Sequence, residues 1–191
     1  MGNRLTKIYT RTGDSGDTGM ADGSRRAKDD LRIHVIGEID ELNSQLAVLR
    51  SHLAAEMGAS ICVIQNELFH AGAELSSGRE MMNTAHTQWL ERTLDNINAQ
   101  LPALKEFILP GGGLAASHCH VARAVCRRVE RSLVGVHHQQ PLNPHLLAYF
   151  NRLSDFLFVL ARLISKQQGE AETYWQSERL QCGHKDKDSG S

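Results

Sequence analysis

Val35–Leu53, VIGEIDELNSQLAVLRSHL, is the stretch that decides the fold. Its apolar residues Val35, Ile39, Leu42, Leu46, Leu49 and Leu53 recur at alternating steps of four and three, which lines them along one face of a helix. Such a stripe needs a partner of the same kind. Outward along the chain the rhythm returns in Ile61, Ile64, Leu68, Ala71 and Leu75; in Leu90, Leu94, Ile97 and Leu101; and in Leu146, Phe150, Leu153, Leu157, Leu160 and Ile164. The spacing predicts helices from about Asp30 to Met57-Gly58, from Ser60 to Ser77-Gly78, from Thr84 to about Gln100 and from Asn143 to Gln168. A further helix, Leu114 to Val134, contains ASHCHVARAVCRRVER, residues 116–131. Together these give an all-α chain, a bundle of four or five helices in one domain.

That last helix carries more than solubility demands. Val121, Ala122, Val125 and Val129 form its apolar face, and Arg123, Arg127 and Glu130 share a neighbouring face. Four arginines (Arg123, Arg127, Arg128, Arg131) within nine positions read either as a solvated face or as a polyanion site. Upstream, Phe107-Ile108-Leu109-Pro110-Gly111-Gly112-Gly113 is an apolar loop that must be covered by the bundle, a partner subunit or a ligand.

Composition narrows the function. The chain has 191 residues, 41% hydrophobic and 23% charged, with formal net charge -1. That balance disfavours nucleic acid or an anionic membrane as the main partner. Cys62, Cys119, Cys126 and Cys182 make no CxxC pair, so a reducing compartment is expected; Cys119 and Cys126, two turns apart, suit buried thiols. MGNRLTKIYTRTG lacks a long apolar run, and the cytoplasm is the expected location.

Residues 4–30 show neither period. Glycines, Thr10, Thr12, Thr18 and Ser24, with Arg11 and Lys28 as countercharge, suit either a loosely packed arm or a loop that cradles phosphate. No Walker A loop and no GxGxxG is present. Asp40 and Asn43 sit one turn apart, in a shared pocket or simply in solvent. Glu67-Leu68-Phe69-His70 is the one Glu-x-x-His, half of what a di-iron bundle requires, and His118 and His120 are too close in sequence to converge on one metal. No activated side-chain nucleophile is legible. From Glu170 the periodicity is lost, and 169–191 reads as a mobile tail.

Six separated blocks, in order, resemble the PduO-type ATP:cob(I)alamin adenosyltransferases. They are Tyr9–Asp14 with Gly16 and Thr18, Ser24-Arg25 to Lys28, GEIDELN at 37–43, FILPGG at 107–112, ARAVCRRVE at 122–130 and YFNRLSDFLFVLAR at 149–162. The resemblance spans residues 5–168 and implies a five-helix up-and-down, ferritin-like bundle, residues 31–168, that forms a homotrimer with active sites between subunits. It implies transfer of the 5′-deoxyadenosyl group of ATP to the cobalt of cob(I)alamin, with release of triphosphate. By the same resemblance, residues 1–30 are a nucleotide-binding arm in which Thr10, Arg11, Thr12, Gly13, Asp14, Gly16, Thr18 and Lys28 wrap the triphosphate. Arg123 pairs with Asp40, Arg127 and Glu130 act at the phosphates and their Mg2+, Asn151 lies on the nucleotide side, and Phe107 occupies the lower face of the corrin. A corrinoid reductase and an adenosylcobalamin-dependent acceptor enzyme are the implied partners. The chain departs from the pattern at Met20, where leucine is usual, and at Gly113-Leu114. The alternative is a bundle that delivers or senses cobalamin or a nucleotide without turnover.

Overall fold

The computed structural model describes residues 8–176. After a short hairpin, β1 (Asp17–Gly19) and β2 (Arg25–Ala27), come five helices: α1 (Leu31–Ser51), α2 (Ala55–Ser77), α3 (Thr84–Asn98), α4 (Gly113–Gln139) and α5 (Pro144–Gln167). Each runs opposite to the one before it. Arg32 at the start of α1 donates to Gln140 Oε1 beyond the end of α4 at 2.7 Å, while His52 after α1 stacks on His118 near the start of α4. Packed pairs α1/α2, α1/α4, α4/α5 and α3/α5 place the helices in the order α2, α1, α4, α5, α3. The apolar stripes meet along these seams: Val35, Leu42, Leu46, Leu68, Ala122, Val129, Tyr149, Phe150 and Leu157 are wholly buried.

Local chemistry sets the helix ends. Asp30 caps α1 by accepting from Arg32 N–H, Asn83 and His86 form a capping box on α3, and Asn143 caps α5 with Pro144 behind it. Two expected boundaries need correction. The chain breaks at His52–Ala54, and Met57-Gly58 lies inside the first turn of α2, where a Cβ on Gly58 would make only an ordinary contact, 3.6 Å from Arg50 Cγ. Likewise α4 passes through Gly135, where a Cβ would lie 3.3 Å from Leu31 Cδ2. Gly135 serves close approach between helices, and neither glycine ends one. On α4, Val121 is exposed while Ala122, Val125 and Val129 are buried.

The arm has a fixed seat. Asp17 pairs with Ala27 and Gly19 with Arg25, Met20 is buried, and Ala21 N–H donates to Ser76 O and Oγ at the end of α2. The loop after α3 lies at the other end of the bundle. There Leu109 N–H donates to Thr173 O at 2.8 Å and Trp175 N–H to Phe107 O at 2.7 Å. Residues 172–175, expected within a free tail, are thus laid against this loop; 177–191 lie outside the described residues, as do 1–7.

Candidate active site

The α4 arginines divide by the helix face they occupy. Arg128 turns to α1 and pairs with Glu38 and Glu41. Arg123 and Arg127, one turn apart, line a cavity of about 580 Å³ between α3, α4 and α5, together with Glu91, Asp95, Arg152 and Asp155. Arg152 is engaged there by Glu91 at 3.0 Å and Asp155 at 3.2 Å. Arg123 and Arg127 have no acidic partner among the described residues, and Arg123 Nε is buried without a hydrogen bond. Two guanidiniums free of ion pairs among the described residues, beside an open hollow, can receive an anion with several oxygens.

Glu130, one turn beyond Arg127, accepts from Asn151 Nδ2 at 2.8 Å, so two expected site residues meet across α4 and α5. No group of three His, Cys, Asp or Glu side chains gathers among the described residues, so this chain builds no all-protein metal cage there. A single carboxylate steadied by an amide does fit Mg2+, which is commonly held by one or two carboxylates plus substrate phosphates.

In the arm, backbone turns bring cationic heads back over the glycines. Arg25 Nη2 donates to Thr12 O at 2.7 Å, Gly16 N–H to Gly13 O at 3.2 Å and Lys28 N–H to Gly16 O at 2.7 Å. A Cβ on Gly13 would sit 3.1 Å from Asp17 O and 3.3 Å from Lys28 Nζ, so a larger residue there would crowd the turn backbone and push the ammonium outward. Thr10 and Thr12 hydroxyls bond each other at 2.9 Å, Asp14 is exposed, and Thr18 sits in β1 opposite Arg26. Arg11 stands at φ 61°, with its guanidinium 5.6 Å from the Tyr9 ring centroid.

One chain does not unite the expected residues. Asp40 is exposed in an apolar groove between α1 and α2, with Ala21, Ile36, Gly37 and Phe69, and makes no ion pair with Arg123. Its neighbour Asn43 is structural, donating to Gln65 O at 3.0 Å. Phe107 stands 74% exposed at the far end of the bundle from the arm, with Trp175 edge-on at 6.3 Å. Helices of this length separate those ends by roughly 30 Å.

Other candidates are accounted for by packing. Cys119 and Cys126 are buried and donate to Leu157 O and Phe150 O, and burial pushes both thiols well above their ordinary range, which removes them as nucleophiles. Glu67 accepts from the buried Tyr149 hydroxyl at 2.7 Å, and burial raises its carboxyl above the usual value despite that bond. His120 is buried against Phe158; burial, then Arg123, lower its pKa, so it stays neutral near pH 7. Asp155 shares the polar side of α5 with Asn151 by spacing, but the cavity acids Glu91 and Asp95 escaped the sequence reading, although they stand four apart on the polar side of α3. Trp175 escaped it too, because it follows the loss of periodicity.

Comparison with known proteins agrees with this layout. Residues 8–164 match the profile of the cobalamin adenosyltransferase family. A cobalamin adenosyltransferase of Cupriavidus metallidurans is 47% identical over 182 residues, covering 94% of this chain and 99% of its own length. A corrinoid adenosyltransferase of Bacillus subtilis is 40% identical over 172 residues, 85% of this chain and 89% of its own. Among solved structures, a variant of the PduO-type ATP:corrinoid adenosyltransferase from Lactobacillus reuteri, complexed with cobalamin and ATP, superposes with TM-score 0.84 at 34% identity. The match covers 90% of this chain and 100% of that one. With the family profile spanning most of its length and the five-helix architecture shared, this chain belongs to the cobalamin adenosyltransferase family.

Proposed function

We propose that the protein transfers the 5′-deoxyadenosyl group of ATP to the cobalt of cob(I)alamin, giving adenosylcobalamin and triphosphate. The observation that carries this reading is the pair Arg123 and Arg127, without ion-pair partners among the described residues, at an open cavity beside the Glu130–Asn151 pair. Cobalt(I) supplies an electron pair to C5′ of the ribose, the C5′–O bond breaks, and its electrons leave with triphosphate. The cobalt ends as Co(III) bound to carbon, and no protein nucleophile takes part. Buried, high-pKa thiols are consistent with that. The protein's task is alignment and stabilisation of charge on the leaving group. Arg123 and Arg127 meet the phosphates, and Thr10, Arg11, Thr12, Gly13, Asp14, Gly16, Thr18 and Lys28 close over them. Glu130, held by Asn151, holds Mg2+, which when bound neutralises phosphate oxygens. Phe107 lies on the lower face of the corrin, where an apolar wall excludes water and an axial ligand and so favours Co(I).

The chain works as a homotrimer whose sites are shared. The arm and Asp40 of one copy face Arg123, Arg127, Glu130 and Asn151 of the next; their separation within one chain supports this arrangement. Its place is the cytoplasm, where thiols stay reduced and a corrinoid reductase can deliver Co(I), with an adenosylcobalamin-dependent enzyme receiving the product. No helix of the described residues is long and apolar enough to cross a membrane.

Two experiments test the reading. Purified protein with ATP, Mg2+ and chemically reduced cobalamin, kept anaerobic, is expected to convert the corrin spectrum to that of the alkylated cobalt; an unchanged spectrum rejects the enzyme. For the shared site, Lys28→Ala and Arg127→Ala proteins are unfolded together and refolded as mixed trimers. Each site then draws its arm and its arginine face from independent copies, so about a quarter of the wild-type activity returns. Sites contained within one chain would return none.

A further inference from the structure

One buried guanidinium joins the two segments that frame Phe107. Arg162 on α5 is 2% exposed; its Nε donates to Glu172 Oε1 at 2.6 Å, and its Nη2 donates to Glu172 Oε2 at 3.3 Å and to Pro102 O at 2.9 Å. Pro102 stands before the loop that carries Phe107. Glu172 begins the extended segment whose Thr173 and Trp175 backbones bond to Leu109 and Phe107, with Ile108 bridging Tyr174. In every other ion pair of the described residues both side chains are at least 22% exposed, whereas Arg162 and Glu172 are at 2% and 17%. The burial therefore sets this pair apart.

Taking charges out of water is costly, and apolar side chains of the same volume commonly stabilise a core at least as well. What an apolar contact lacks is direction. The planar fork of an arginine fixes the carboxylate along two parallel bonds and, through its second nitrogen, fixes the Pro102 carbonyl in the same plane. Lys166 Nζ adds a bond to Gln100 O at 2.6 Å, and Glu170 N–H one to Ser165 O at 2.9 Å, so both segments are tied to the last turns of α5. The rim of this construction is apolar and open: Phe107, Leu109, Leu114, Tyr174 and Trp175 are all exposed.

We propose that Arg162 and Glu172 are positioning residues for the reaction: they lock segment 172–175 against loop 107–109 and thereby set the height and tilt of the Phe107 ring on the corrin. The inference rests on the corrinoid reading of the Phe107 face. Glu172 lies outside the helices, so Glu172→Ala removes no core side chain, and it leaves the buried Arg162 guanidinium bonded only to Pro102 O, at a cost in stability that thermal unfolding of the variant measures. In the full chain, amide hydrogen exchange at Leu109 and Trp175 is expected to quicken at least tenfold in this variant, while amides within α1 and α4 keep their rates. Adenosylation is expected to show a corrinoid KM raised about tenfold with the ATP KM within twofold of wild type, and Glu172→Asp to recover most of the loss. The visible spectrum of bound Co(II) corrinoid is expected to shift back towards that of the free, axially ligated form. Arg162→Lys, which keeps a charge and loses the fork, is expected to give the same pattern and serves if Glu172→Ala proves unstable. Unchanged exchange at Leu109 and Trp175, or faster exchange with unaltered corrinoid kinetics and spectrum, overturns the proposal. A wild-type protein that never alkylates cobalt rejects the adenosyltransferase reading itself; an active wild type with an indifferent Glu172→Ala rejects only the lock.

Discussion

Gly112→Ala is the substitution whose cost follows most directly from the geometry. Gly112 precedes α4 at φ 87° and ψ 39°, without a side-chain cap. A Cβ there would stand 1.9 Å from Ser165 Oγ and 2.8 Å from Ser165 Cβ. Two penalties add. The left-handed backbone costs an L residue roughly 1–2 kcal/mol, and forcing a methyl into filled space costs about 1–3 kcal/mol. Stiffening of the unfolded chain offsets about 0.5 kcal/mol of this. A net loss of roughly 3 kcal/mol corresponds to a fall in Tm of about 6–12 °C for a chain of this size. Equilibrium urea denaturation at fixed protein concentration measures it, since assembly makes stability concentration-dependent. Ser165→Gly removes both crowding atoms, so the double-mutant cycle isolates the clash, and a coupling of about 1–3 kcal/mol is expected. A Gly112→Ala protein within about 0.5 kcal/mol of wild type, or a cycle that closes additively, refutes the reasoning; so small a cost is what an open surface position gives.

Arg127→Ala is expected to lower kcat about a hundredfold, about 3 kcal/mol of lost leaving-group stabilisation, by stopped-flow adenosylation. Arg128→Ala, one residue on, loses pairs to the half-buried Glu38 and the exposed Glu41 and is expected to cost about 1 kcal/mol of stability and leave turnover unchanged. Phe107→Ala is expected to slow cobalt alkylation while leaving ATP affinity near wild type; weakened ATP binding with normal corrin chemistry would reassign the residue. Glu67 has a carboxyl pKa raised by burial, so the folded state holds a proton over a pH range where the unfolded chain has released it. Its contribution is full below the ordinary 4.5 and is lost as pH rises through the raised value. Glu67→Gln is therefore expected to gain in Tm relative to wild type as pH rises from 4.5, and a constant difference across that range would show that Glu67 titrates normally.

The bundle was legible because its signal is repeated and local. Leu42, Leu46 and Leu49 announce a helix whatever they pack against, and the structure only had to choose neighbours. Boundaries were less legible where a glycine had two possible uses. Gly78 does end α2, at φ 70°, yet Gly135 sits inside α4, where a Cβ would lie a tight 3.3 Å from Leu31 Cδ2, and Gly58 sits inside α2 with only an ordinary contact to Arg50. Nothing in single-chain periodicity separates those cases, since the neighbour lies far away in sequence. The arm and the C-terminal segment fall under the same rule. Ala21 is held by Ser76, and Thr173 and Trp175 by Leu109 and Phe107, contacts that no short window of sequence contains.

The candidate site was legible as a set of residue types and illegible as a place. Arg123, Arg127 and Glu130 share a helix face by spacing alone, and the fold adds Asn151 to them. It does not add the arm, which is rooted at the end of α2, nor Asp40, which faces the α1/α2 groove, since α1 and α4 are interposed between that groove and the α3/α4/α5 cavity. A chain that divides its anion-binding groups between opposite sides of a filled core cannot gather them by a side-chain rotation, because the intervening core is close-packed. In the homotrimer proposed above, a second copy gathers them, turned so that one molecule's groove side meets the next one's cavity. Such a contact joins two different surfaces and closes into a ring when the rotation permits. The exposed Phe69, 70% accessible on the groove side, then gains a reason that the isolated chain does not give it.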